Sequence, residues 1–131
     1  MKEKGFTLME ITIVLAVLAI IAAILIPTFM ATTDRARLRS DIQSARVIQN
    51  ALDLYVAERG RLPVTAVGAS QIIQVLQDTD FLPQGNINTQ TANASWQIDS
   101  NRVFINIRES SNNVKRIFEN LSDDEKGFVK D

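Results

Sequence analysis

The chemistry available to this chain begins with its carboxylates. Glu10 is the last charge before a long uncharged run, while Asp123, Asp124 and Glu125 stand together near the other end. An acid at or inside a membrane is expensive and is retained for a partner or a function. Glu10 therefore calls for either a cationic partner or a place at headgroup level. Clustered carboxylates suit a hard cation such as calcium. The same tail, Ser122-Asp123-Asp124-Glu125, also spells the Ser-x-x-Glu capping box of a helix start, and both readings stay open. The missing residue types narrow the field. With no Cys there is no disulfide, thiolate nucleophile or Cys-bound metal. With no His the commonest general base and transition-metal ligand are gone. No constellation of residues supports an enzyme. The formal net charge of −1 gives no electrostatic reason to expect direct binding of nucleic acid.

The elements that must position these residues follow from where the apolar residues lie. A length of 131 residues suits one domain, or one domain plus an anchor. From Ile11 to Phe29 there is no charge. As a helix this run spans roughly 29 Å, close to the hydrocarbon thickness of a bilayer. Twelve of its residues are Ile, Leu, Val or Phe, each favouring insertion by about 0.3–0.6 kcal/mol. The sum tolerates an acid at one end. The run continues into Pro27-Thr28-Phe29-Met30 and a new helical pattern, not into a small-residue signal-peptidase site. It reads as a retained transmembrane helix. Lysines and the initiating amine lie on one side and Arg35, Arg37 and Arg39 on the other, so charge alone does not orient it.

Residues 30–59 continue as an amphipathic helix. Leu38, Ile42, Ala45, Ile48, Leu52 and Tyr55 recur at three- and four-residue steps. Asp41, Gln43, Arg46, Gln49, Asp53 and Arg59 are assigned to the polar side. Gly60 and Pro63 form the stop signal. Beyond it, Ser70 to Asp78 reads as a short helix with Ser70 as N-cap, ended by Phe81-Leu82-Pro83. Asn86 to Ser95 reads as a loop. Trp96–Ile98 and Arg102–Arg108 read as a β-hairpin on the spine helix, turning at Asp99-Ser100-Asn101. Val114, Ile117, Phe118 and Leu121 mark a last short helix. The expected fold class is α+β: a long N-terminal helix, transmembrane then amphipathic, packed on a small antiparallel sheet with short extra helices. Asn93-Ala94-Ser95 and Asn120-Leu121-Ser122 match the N-glycosylation pattern.

Lys4-Gly5-Phe6-Thr7-Leu8-Met9-Glu10, after a short charged leader and before an apolar helix, resembles the class III leader of type IV pilins and type II secretion pseudopilins. The close match covers Lys4 to Phe29. The Tyr55-to-Pro63 stretch also resembles the end of the spine helix in that family. The resemblance implies cleavage between Gly5 and Phe6 by a membrane prepilin peptidase on the cytoplasmic face, with N-methylation of the new Phe6 amine. It implies residues 1–5 as leader, 6–29 as membrane and filament-core helix, and 30–131 as a head outside the cytoplasm. Subunits leave the lipid and polymerise with copies of themselves and with minor pilins, on a membrane assembly platform. Glu10, fifth after the cut, is implied to pair with a neighbour's Phe6 amine, and Pro27 to bear on assembly. Relatives often have Gly near such a proline and lose helicity there in assembled pili. This chain has Ala19-Ile20-Ile21-Ala22-Ala23, which favours helix. Some major pseudopilins hold calcium in a C-terminal loop, which keeps Asp123, Asp124 and Glu125 as calcium candidates.

The expected function is a structural subunit of a type IV pilus or type II secretion pseudopilus, located in the membrane and then in a periplasmic or extracellular filament. A competence pseudopilin for DNA uptake is an alternative within the class. A membrane-anchored binding module is the alternative outside it.

Overall fold

The computed structural model describes residues 5–62 and 68–131. It comprises two units, residues 1–33 and 34–131, and helix α1 (Leu8–Arg59) contributes to both. Pro63 and the leader residues Met1 to Lys4 lie outside the described residues.

The first unit is helix without a core. From Gly5 to Thr32 every residue is exposed, although this stretch is the most apolar in the chain. An 18-residue window of α1 has a mean hydropathy of 2.9, long and apolar enough to cross a membrane. Its hydroxyls are satisfied internally: Thr12 donates to the Leu8 carbonyl at 2.8 Å and Thr28 to that of Ile24 at 3.3 Å. Such back-bonding removes the penalty of an unpaired hydroxyl in hydrocarbon. The helix runs through Pro27, whose ring nitrogen offers no hydrogen to the carbonyl of Ala23.

The second unit has the core. Leu38, Ile42, Ala45, Ile48 and Leu52 of α1 are buried, as their spacing requires, together with Ala51. Asp41 is also buried, at 1% exposure, against its expected place on the polar side. Gly60 ends α1 with φ of +77°, its N–H donating to the Val56 carbonyl. Helix α2 (Ala69–Asp78) buries Ile72, Ile73 and Leu76. Its N-cap is Gly68 rather than Ser70, and no side chain caps it.

Strands β1 (Ser95–Asp99) and β2 (Arg102–Asn106) form the expected antiparallel hairpin, with Trp96 opposite Ile105 and Ile98 opposite Val103. Val103, Ile105 and Ile107 face the core. Gln49 ties this hairpin to α1: it accepts from the Val103 N–H at 2.8 Å and donates to the Asn101 carbonyl at 2.8 Å. Helix α3 (Asn112–Glu119) buries Val114 and Ile117, with Ser111 as its cap. Helix α4 (Asp123–Lys126) leads into β3 (Val129–Lys130), which joins β2 in parallel. The sheet is therefore mixed, of order β1-β2-β3, rather than purely antiparallel. The final strand escaped sequence reading because two residues cannot display a period of two.

Candidate functional site: the N-terminal motif

Gly5, Phe6 and Thr7 are non-helical, and α1 starts at Leu8. The peptide bond between Gly5 and Phe6 thus precedes the first helical turn. Phe6 is 84% exposed. A Cβ placed on Gly5 would meet nothing within 4 Å, so nothing in the fold itself requires glycine there.

Glu10 closes a capping box with Thr7. Its Oε2 accepts from the Thr7 N–H at 2.8 Å and from the Thr7 hydroxyl at 3.0 Å, while the Glu10 N–H donates back to that hydroxyl at 3.3 Å. Two orphan donors of the helix start are thereby satisfied. The signal for this role was present as Thr7-x-x-Glu10, the same pattern as Ser122-x-x-Glu125 at the other end. Within one chain, then, the lone acid is a local cap at the apolar helix's edge.

The tail forms the capping box that Ser122-x-x-Glu125 spells. Ser122 Oγ accepts from the Glu125 N–H, and Glu125 Oε2 accepts from the Ser122 N–H at 3.1 Å and its hydroxyl at 3.0 Å. These bonds, backbone first, hold the Glu125 carboxyl below the usual carboxylate range, helped by the charges of Arg39 and Arg46. Arg39 Nε lies 3.6 Å from Glu125 Oε1, and Arg46 pairs with Asp124. The arginines one heptad apart on α1 thus clamp α4. Asp123 stays exposed. Glu125 and Asp124 thus point to different partners, and among the described residues no group of three acids is placed to share a metal ion. Arg35 and Arg37 are exposed, with no ion-pair partner among the described residues.

Asp41 is the carboxylate that sequence reasoning misplaced. It accepts from the backbone N–H of Gln90 at 2.7 Å and of Thr91 at 2.8 Å, pinning the loop before β1 to α1. No local pattern announces a bond spanning 49 residues. The only hint was its position between Leu38 and Ile42 on the apolar face.

A family model described as the prokaryotic N-terminal methylation motif matches residues 1–26. Among curated proteins, the type II secretion system core protein G of Klebsiella michiganensis is 27% identical over 97 residues, 72% of this chain and 68% of that protein. The core protein G of Escherichia coli K12 is 27% identical over 73 residues, 56% of this chain and 50% of its own. The prepilin peptidase-dependent protein A of Clostridium perfringens is 39% identical over 57 residues, 44% and 41% respectively. The match thus spans two thirds of the first relative and about half or less of the other two. No solved structure matches. Motif and relatives support a subunit of the pilin or pseudopilin type, and the apolar helix fits membrane anchoring. Residues 1–26 thus carry a prepilin-type methylation motif, and the chain is similar to type II secretion system core protein G and to prepilin peptidase-dependent protein A.

Proposed function

We propose that the chain is a structural subunit of a type IV pilus or type II secretion pseudopilus, cut between Gly5 and Phe6, methylated on Phe6 and polymerised through its apolar helix. One observation supports this most strongly: about twenty consecutive, mostly apolar residues are exposed among the described residues, and most of them lie within the matched methylation motif. Lipid covers them first and copies of the same helix cover them in the filament. The partners are further copies, minor pilins, the prepilin peptidase and a membrane assembly platform. In this reading the tail acids serve capping and ion pairing, not calcium, and the protein is not an enzyme.

Glu10 is the assembly residue. Cleavage creates a cationic amine on Phe6, one residue before the Thr7 cap. In a filament the Glu10 carboxylate adds a neighbour's amine to its Thr7 bonds, so that neither charge is buried alone. Removing one partner of a buried pair costs about 3–5 kcal/mol. Glu10→Ala is therefore expected to remain in the membrane fraction of the native host but to yield no sheared filaments. Filaments at the wild-type level would contradict the proposal and favour a membrane-anchored binding module.

A further inference from the structure

Among the clefts of the head, one has a chemistry that neither processing nor polymerisation calls for. It lies between α2, residues 84–88 and Trp96, with a volume of about 310 Å³, at the small end of the ~300–1,000 Å³ range of ligand pockets. Its chemistry is distinctive. Ile73 and Ile87 supply apolar lining, and Trp96 contributes a large amphipathic ring. Gln74, Asp78, Asn86 and Asn88 surround them. Among the described residues, the side chains of these four have no hydrogen-bond or ion-pair partner. Amides both donate and accept, which matches the double nature of a hydroxyl group. Among the described residues no Lys or Arg lines the cleft, and Asp78 repels anions, so its charge does not favour a phosphate or carboxylate.

The walls are already fixed. Gln77 Nε2 donates to the Pro83 carbonyl at 2.9 Å and the Gly85 carbonyl at 2.7 Å. Gln84 Nε2 donates back to the Gln77 carbonyl at 2.7 Å. Trp96 Nε1 donates to the Ile87 carbonyl at 2.9 Å, which holds the half-buried ring against the loop. A cleft braced by side-chain bonds to its own backbone loses little freedom on binding, which favours affinity. Free amides over an apolar floor with an aromatic ring suit a ligand with apolar C–H faces and hydroxyl edges.

We propose that this cleft binds a neutral, hydroxylated ligand: one or two residues of a glycan. The inference rests on the head alone and is independent of whether the chain polymerises. Trp96 is the chain's single tryptophan, so its emission reports on the cleft directly. Full-length protein in a zwitterionic, non-glycosidic detergent is titrated with chitotriose, cellotriose, maltotriose and galactobiose, and with glucuronate as the anionic control. The expected result is a saturable emission change with at least one neutral saccharide, at a Kd of about 1 mM. Gln74→Ala and Asn88→Ala, both on exposed residues, are each expected to weaken it about fivefold, the loss of one hydrogen bond. Asn50→Ala, outside the cleft, should leave it unchanged. No saturable change with any neutral saccharide, equal affinity in all variants, or tighter binding of glucuronate would each overturn the proposal.

Discussion

Three carboxylates illustrate how much a single acid depends on what its helix places around it. Asp41 faces inward and has two backbone N–H groups as partners. Asp41→Ala leaves both donors without their acceptor, at about 1–3 kcal/mol each when buried. We expect a loss of about 2–4 kcal/mol in chemical denaturation of the purified chain, far more than for an exposed acid such as Asp53. Glu125 is a different case. Its carboxyl titrates below its ordinary value of 4.5 because folding supplies the Ser122 donors. A depressed folded value means that the stabilisation is complete above the unfolded value and is lost as pH falls through the folded one. Acid titration of stability should therefore show a loss beginning near pH 4.5 and continuing below it, and Glu125→Gln should shrink that loss. Glu10 shares the capping geometry of Glu125 but sits beside a membrane span. It has the same cap, and the assembly phenotype of its alanine variant separates that cap from the pairing proposed for it.

At the scale of elements, the legible parts were those with a period. Leu38 to Leu52 declared the spine helix, Val103-Ile105-Ile107 a half-buried strand, and Val114-Ile117 the face of α3. The illegible parts were set by partners far away in sequence. Asp41 is buried because a loop 49 residues on offers it two donors. Strand β3 forms because β2 presents an open edge to Val129 and Lys130, and α2 takes Gly68 as cap in place of Ser70. At the N-terminus the signal is local: Thr7-x-x-Glu10 spells the capping box that the structure forms. The hairpin turn yields a prediction. Ser100 and Asn101 both adopt positive φ, 49° and 68°, between Asp99 and its partner Arg102. That geometry suits Asn-Gly, since each L-residue held left-handed costs about 1–2 kcal/mol. The double variant Ser100→Asn, Asn101→Gly keeps the Asn101 carbonyl that Gln49 binds. It should raise the head's Tm by about 4–8 °C, the shift expected for 1 kcal/mol. No change, or a fall, would show that the turn is held by side-chain contacts instead.

As a whole molecule, the chain divides its labour between a unit with a core and a unit without one. Residues 34–131 bury their own apolar face. The apolar residues from Gly5 to Thr32 are exposed, which fits membrane anchoring. The motif at residues 1–26 and the relation to type II secretion core protein G agree with that division. In the proposed function, Gly5–Phe6 is the processing junction that turns a membrane protein into a filament subunit. Intact-mass and N-terminal peptide mass spectrometry on protein from its own host, where the prepilin peptidase is present, tests it directly. The expected product is a chain beginning at Phe6 with a methylated amine, and an unprocessed chain when Gly5 is replaced by a bulky residue. A mature protein that still begins at Met1 beside an active peptidase would contradict it.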